Sequence, residues 1–191
     1  MELVLIRHAP VIGMEGICYG QMEVEPNPEE EMALVEKLKI AFHERPGVVF
    51  SSPSRRCSRI AAELSSSFQT HSALQEMHFG DWENKPWEQI PSEALHRWMS
   101  DFVNVAPPHG ESWRQMVARI DAWTKVHLLS EERIWMIAHA GTLRAFLHLL
   151  TGLGLEHVFR VQVDPGCKIE GIWQEEPCGR KLTALASGLG W

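Results

Sequence analysis

The sequence predicts an α/β fold on a mostly parallel sheet, and three observations carry that prediction. The first is Leu3-Val4-Leu5-Ile6, an unbroken apolar run that stops at Arg7-His8, as a strand buried on both faces would on reaching a sheet edge. The second is the return of the same figure as Ile134-Trp135-Met136-Ile137-Ala138, closing on His139-Ala140-Gly141. The third is that stretches of helical period separate the short apolar runs, the alternation from which parallel sheets are built. If the two strands are parallel neighbours, their carboxyl ends share the crevice in which open α/β sheets hold ligands, and His8 and His139 face one pocket.

After the first strand, Val11 to Asn27 reads as a glycine-bearing loop. Asn27 caps a helix with Pro28 at its first position and Glu29, Glu30 and Glu31 at the positive end of its dipole, and Met32, Val35, Leu38 and Phe42 form the expected buried stripe. Arg45-Pro46-Gly47 ends that helix, and Val48-Val49-Phe50 makes a second strand running into Ser51-Ser52-Pro53-Ser54-Arg55-Arg56. Cys57, Ile60, Ala61, Leu64 and Phe68 then recur at helical spacing, which puts Arg55 and Arg56 in a first turn. Cations oppose the dipole there, whereas a bound phosphate suits both the dipole and a guanidinium, so the pair includes a candidate anion ligand.

Leu74 to Glu83 and the tryptophan-rich stretch to Trp98, broken by Pro86, Pro91 and Pro107-Pro108, read as short helices crossing over the sheet, with Glu76 a candidate general acid. Gly110-Glu111-Ser112 opens a long helix whose Trp113, Met116, Val117, Ile120 and Trp123 face the core. Thr142 to Leu150 forms a helix that Gly152 ends. Phe159 to Val163, Lys168 to Trp173 and Leu182 to Ala186 read as strands, with a turn at Pro165-Gly166.

At 191 residues with 45% hydrophobic content the chain suits one domain, 1–191, with 77–110 as a covering insertion. A net charge of -7 argues against nucleic-acid binding, yet a few arginines in one cleft can still attract a small anion. Cys18, Cys57, Cys167 and Cys178 form no C-x-x-C pair, and no H-x-x-x-H cluster is present, so no metal site and no cofactor are expected. The opening apolar run lacks the basic flank of a signal peptide, and Leu143 to Leu155 is interrupted by Arg144 and His148, so a cytoplasmic protein without membrane attachment is the expectation.

Two histidines and two arginines at strand ends and helix starts, with a glutamate in a covering segment, suit phosphoryl transfer. Fixed cations hold the charged oxygens, a neutral imidazole attacks phosphorus, and a carboxylic acid protonates the leaving oxygen. On these residues the chain resembles the histidine phosphatase (phosphoglycerate mutase-like) superfamily. Arg7-His8 is similar to its Arg-His-Gly signature, Ser51-Ser52-Pro53 with Arg56-Cys57 to its second arginine motif, Glu76-Met77-His78-Phe79-Gly80 to its acid-bearing segment, and His139-Ala140-Gly141 to its second histidine motif.

The resemblance implies a three-layer α/β/α fold, His8 as nucleophile, Arg7, Arg56 and His139 as phosphoryl ligands, Glu76 as proton donor, and no metal. Within the superfamily, Cys18-Tyr19-Gly20-Gln21, Leu74 to Glu83, Gly110-Glu111-Ser112 and Phe159-Arg160-Val161 with Val163 to Cys167 resemble the alpha-ribazole phosphatase branch of cobalamin synthesis. That branch implies a small phosphate ester as substrate and a homodimer as the assembly to test, and Gly20, Gln21, Trp82 and Thr142 are assigned to substrate binding. Ala9-Pro10 departs from the signature and no asparagine follows at the customary spacing, so Gln21 or the backbone at Gly20 is expected to supply that phosphate contact. The alternatives are a broad phosphatase, a mutase of the same superfamily, and an inactive binder of phosphorylated ligands.

Overall fold

Side chains alternate across a strand, so four consecutive apolar residues need cover on both faces. Leu3 and Leu5 join one buried cluster, Val4 and Ile6 another, and the sheet lies between the two. The computed structural model describes residues 1–128, 132–176 and 179–188, the backbone alone beyond Ile172. In chain order the elements are β1 (Glu2–Arg7), β2 (Ile17–Cys18), α1 (Pro28–Glu44), β3 (Val48–Ser51), α2 (Arg55–Leu64), β4 (Gln69–Thr70), β5 (Lys85–Pro86), α3 (Ser92–Ser100), α4 (Trp113–His127), β6 (Arg133–Ala138), α5 (Ala140–Thr151), β7 (Lys168–Glu176) and β8 (Gly179–Gly188).

The main sheet has the order β4-β3-β6-β1-β7-β8. It is parallel from β4 through β1, and β7 and β8 add an antiparallel edge. Helices α1 and α2 cover the face carrying Val4, Ile6, Trp135 and Ile137, while α4 and α5 cover the face carrying Leu3, Leu5, Ile134 and Met136. The result is a three-layer α/β/α architecture. Register is the feature that matters for chemistry: Arg7 pairs with Ala138 and Ser51 with Ile137, so β1, β3 and β6 end at one level. None of the described helices is long and apolar enough to cross a membrane.

Caps formed where the sequence supplies them. Asn27 accepts from the N–H groups of Glu29 and Glu30, Ser112 and Gln115 form a reciprocal box at the start of α4, and Gly152 closes α5 in the left-handed conformation. Two expectations fail. The buried stripe of α1 is Glu31, Leu34 and Leu38, with Val35 and Phe42 half-buried beside it, whereas Met32 is 62% exposed. The stripe is displaced because Glu31 turns inward to meet Arg59 of α2 at 2.7 Å.

The second failure is the strand expected at Phe159 to Val163, where Val158–Arg160 forms a single 3₁₀ turn and Val161 to Val163 are not in a strand. Val158 and Val163 bury themselves in the core cluster, and Phe159 packs edge-on against Phe102 and Trp113 at 4.9 Å each. A short apolar run does not distinguish these outcomes. A small β2–β5 ladder inside the expected loop and covering segment ties the two together.

Candidate active site

His8 follows β1 and His139 follows β6, and because those strands are parallel neighbours the two rings meet edge to face with centroids 5.2 Å apart. Both side chains are buried. His8 Nδ1 lies 2.7 Å from the carbonyl of Ala9, and a carbonyl only accepts, so Nδ1 carries the hydrogen and Nε2 keeps its lone pair. Burial first, and the charge of Arg56 second, pull the pKa of His8 from its ordinary 6.5 down to about 3. His139 is held well below the usual range by burial and then by the charges of Arg56 and of its neighbours. Two neutral imidazoles therefore sit side by side at neutral pH.

Two arginines flank them in the chain: Arg7 ends β1 opposite Ala138, and Arg56 precedes Cys57, whose Sγ touches His139, and both charges act on the two imidazoles. Arg56, in the first turn of α2, is fully buried. Its Nη1 and Nη2 donate to the carbonyls of Met22 and Gly20 at 2.7 and 2.9 Å, and its Nε has no partner. Arg7 Nη1 donates to Val163 O at 2.6 Å, and its buried Nε is likewise unpartnered. Among the described residues neither arginine meets a carboxylate within ion-pair distance. A buried cation without a counter-ion is costly, and an oxyanion bound between the two would remove that cost. Arg55, by contrast, is exposed and paired with Glu23 and Glu25.

Backbone bonds fix this arrangement. Gly166 N–H donates to His8 O and Arg7 N–H to Cys167 O, so the Val163 to Cys167 turn braces both residues from the antiparallel side. Ser52 Oγ lies 2.7 Å from His139 Nε2 at the end of β3, and Cys57 Sγ packs 3.7 Å from the same nitrogen.

Glu76 reaches in from the covering segment. Its carboxylate accepts from the backbone N–H groups of Met77 and of Gly141 in the first turn of α5, at 2.9 and 3.1 Å. A Cβ at Gly141 would stand 2.2 Å from Glu76 Oε1, so glycine there is what lets the acid approach. The four residues assigned to substrate binding divide. Gly20 lines a cavity together with Glu76 and Gly141 and, at φ +41°, offers its carbonyl to Arg56 while Glu83 presses so close that a Cβ would clash. Gln21 donates to Glu76 O at 2.9 Å, which ties its amide to the backbone of the acid.

Thr142 is buried and donates to the carbonyls of Leu74 and Gln75, a brace under the acid-bearing segment. Trp82 packs against Cys18 and Ile90 inside the cover, and Trp87 is the tryptophan of that segment that lines the cavity. The cavity, about 210 Å³, is lined by Tyr19, Met77, Phe79, Trp87, Trp113 and Phe159 with Glu76 and Arg144 among them. Sequence reasoning missed Arg144, which sits one helical turn beyond Gly141 on the same face of α5. That spacing was the available signal. Trp113, read as core alone, also forms cavity wall.

Comparison with known proteins agrees with this geometry. The sequence profile of the histidine phosphatase superfamily (branch 1) matches residues 3–181. A protein of Hydrogenobacter thermophilus with the provisional name phosphoserine phosphatase 2 is 28% identical over 96% of this chain and 93% of its own. The adenosylcobalamin/alpha-ribazole phosphatase of Escherichia coli is 30% identical over 59% of this chain and 55% of its own, so that match spans only about half of the relative. The crystal structure of the alpha-ribazole phosphatase of Shigella flexneri superposes with a TM-score of 0.82 over 97% of this chain and 96% of that one, at 22% identity, which speaks to the fold alone.

Proposed function

The chain belongs to the histidine phosphatase superfamily (branch 1), and from that premise we propose that it is a phosphomonoesterase working through a phosphohistidine on His8. One observation carries the reading: a buried Arg56 and a half-buried Arg7, neither with a carboxylate partner among the described residues, act on a neutral imidazole whose Nε2 keeps its lone pair.

In the first step a bond forms between Nε2 and phosphorus, the bond to the leaving oxygen breaks, and Glu76 passes its proton to that oxygen. In the second, Glu76 takes a proton from water, the resulting hydroxide attacks phosphorus, and the P–N bond returns its electrons to His8. Arg7, Arg56 and His139 hold the equatorial oxygens throughout, so the charge a metal would supply is already present. Replacing His8 with Ala is expected to lower turnover of a generic aryl phosphate by at least ~10³-fold, with wild-type turnover unchanged by a chelator. A variant that kept its activity would contradict the reading.

As substrate we propose alpha-ribazole phosphate, whose leaving group is alpha-ribazole. The aromatic walls of the cavity suit a flat apolar base, and the names of the E. coli relative and the S. flexneri fold neighbour point the same way. A second reading has its own observation. Arg144 lies in the cavity with one hydrogen bond, to Val161 O, and no ion pair among the described residues, so it can receive a carboxylate on the leaving group, as in the phosphoserine of the H. thermophilus relative's name. Specificity ratios for the two esters, with free phosphate measured against any isomerised product, separate these readings from each other and from a mutase.

A further inference from the structure

The acid-bearing segment runs from the 3₁₀ turn Ser72–Leu74 to Gly80 outside both sheets, and its carbonyls must find partners elsewhere. One side chain serves three of them, those that flank and include Glu76. Arg119, on α4, donates through Nη1 to Ala73 O at 2.6 Å and through Nη2 to Gln75 O and Glu76 O at 2.9 and 3.0 Å. Glu111 meets the same guanidinium, taking Nε at Oε2 at 3.0 Å and sharing the two hydrogens of Nη2 with those carbonyls through Oε1 at 2.8 Å. Glu111 in turn accepts from His78 N–H at 3.0 Å, and its own N–H donates to His78 O, so the pair grips the segment on both sides of Glu76. Arg119 is also near enough for its charge to act on His139.

We infer that Arg119, oriented by Glu111, is a positioning residue for the general acid: it fixes the backbone of Glu76 so that the carboxylate meets the leaving oxygen. The Gly110-Glu111-Ser112 motif thereby gains a role that capping α4 does not account for. Glu76 is bracketed, its carbonyl by Arg119 and Gln21 and its carboxylate by the N–H groups of Met77 and Gly141. Proton donation is steep in distance, and a misplacement of about 1 Å can cost ~10²-fold in rate.

The inference rests on the phosphohistidine reading and is tested by the leaving-group dependence of phosphoryl transfer. An alkyl phosphate needs a proton on its departing oxygen, whereas 4-nitrophenolate leaves readily as an anion. In rapid-mixing experiments Arg119→Met is expected to slow transfer from an alkyl phosphate by ~10- to 100-fold and from 4-nitrophenyl phosphate by less than about 3-fold, the pattern of Glu76→Gln, with Arg119→Lys in between. Equal slowing of both esters, or no slowing in a folded variant, would overturn it. Should Arg119→Met not fold, Glu111→Gln, which keeps an acceptor and loses the charge, is held to the same criterion. A wild-type protein that hydrolyses both esters without labelling His8 sinks the phosphohistidine reading instead, and steady-state rates of Arg119→Met on the two esters still decide this one.

Discussion

Burial of neutral histidines and close approach of the acid are the two single-residue facts on which the chemistry depends, and each has a measurable consequence. A histidine whose folded pKa lies below its unfolded value takes up a proton on unfolding, so its contribution is fully present above about pH 6.5 and drains as pH falls toward 3. The slope is at most ~1.4 kcal/mol per pH unit for each such group. Urea denaturation at about pH 7.5 and about pH 5 is therefore expected to show a smaller loss of stability in His8→Asn than in wild type; identical losses would contradict the assigned state of the ring. At Gly141, alanine improves the helix by up to ~1 kcal/mol but drives a methyl into Glu76 Oε1. Gly141→Ala is expected to lose ~10- to 100-fold in kcat with little change in Tm, and retained kcat would show that the acid tolerates displacement. The positions of Arg7, His8, Glu76, His139 and the Arg55-Arg56 pair drew notice because each stands at a strand end, in a helix's first turn or in a covering segment, while the choice of Arg56 over Arg55 came from the family resemblance. Arg119 and Arg144 were not legible, since their roles depend on carbonyls and cavity walls far away in sequence.

At the scale of elements, capping residues and uninterrupted apolar runs located most helices and strands, because those signals are local. Helix α1 shows the limit. Its apolar residues allow two neighbouring stripes, and the choice between them is made by the Glu31–Arg59 pair across to α2, a contact no local pattern reveals. Leu34→Ala is expected to cost ~2–5 kcal/mol, whereas Met32→Glu should stay within about 0.5 kcal/mol; urea midpoints of the two variants check the assignment, and the reverse order would restore the stripe read from sequence. The Phe159 segment fails for a related reason: its apolar side chains are satisfied by α5, the cover and Arg144, which stacks 5.4 Å from the ring, so no strand partner is needed.

For the whole molecule, the repeated figure of an apolar run ending in histidine sufficed to predict that two strands lie together and deliver their ends to one crevice. The strand order was not available from that figure. It is set by the C-terminal hairpin, which adds β7 antiparallel against β1 and sends the Val163 to Cys167 turn back to hold Arg7 and His8. A net charge of -7 coexists with an anion site because Arg7 and Arg56 act locally at that crevice, Arg56 fully buried and Arg7 half-buried. Quenching the protein during turnover of a radiolabelled phosphate ester and locating the label decides whether His8 is the nucleophile. An acid-labile, alkali-stable phosphoryl group is expected on His8 and absent from His8→Ala; label on another residue, or steady hydrolysis with no labelled protein at any time, would rule His8 out.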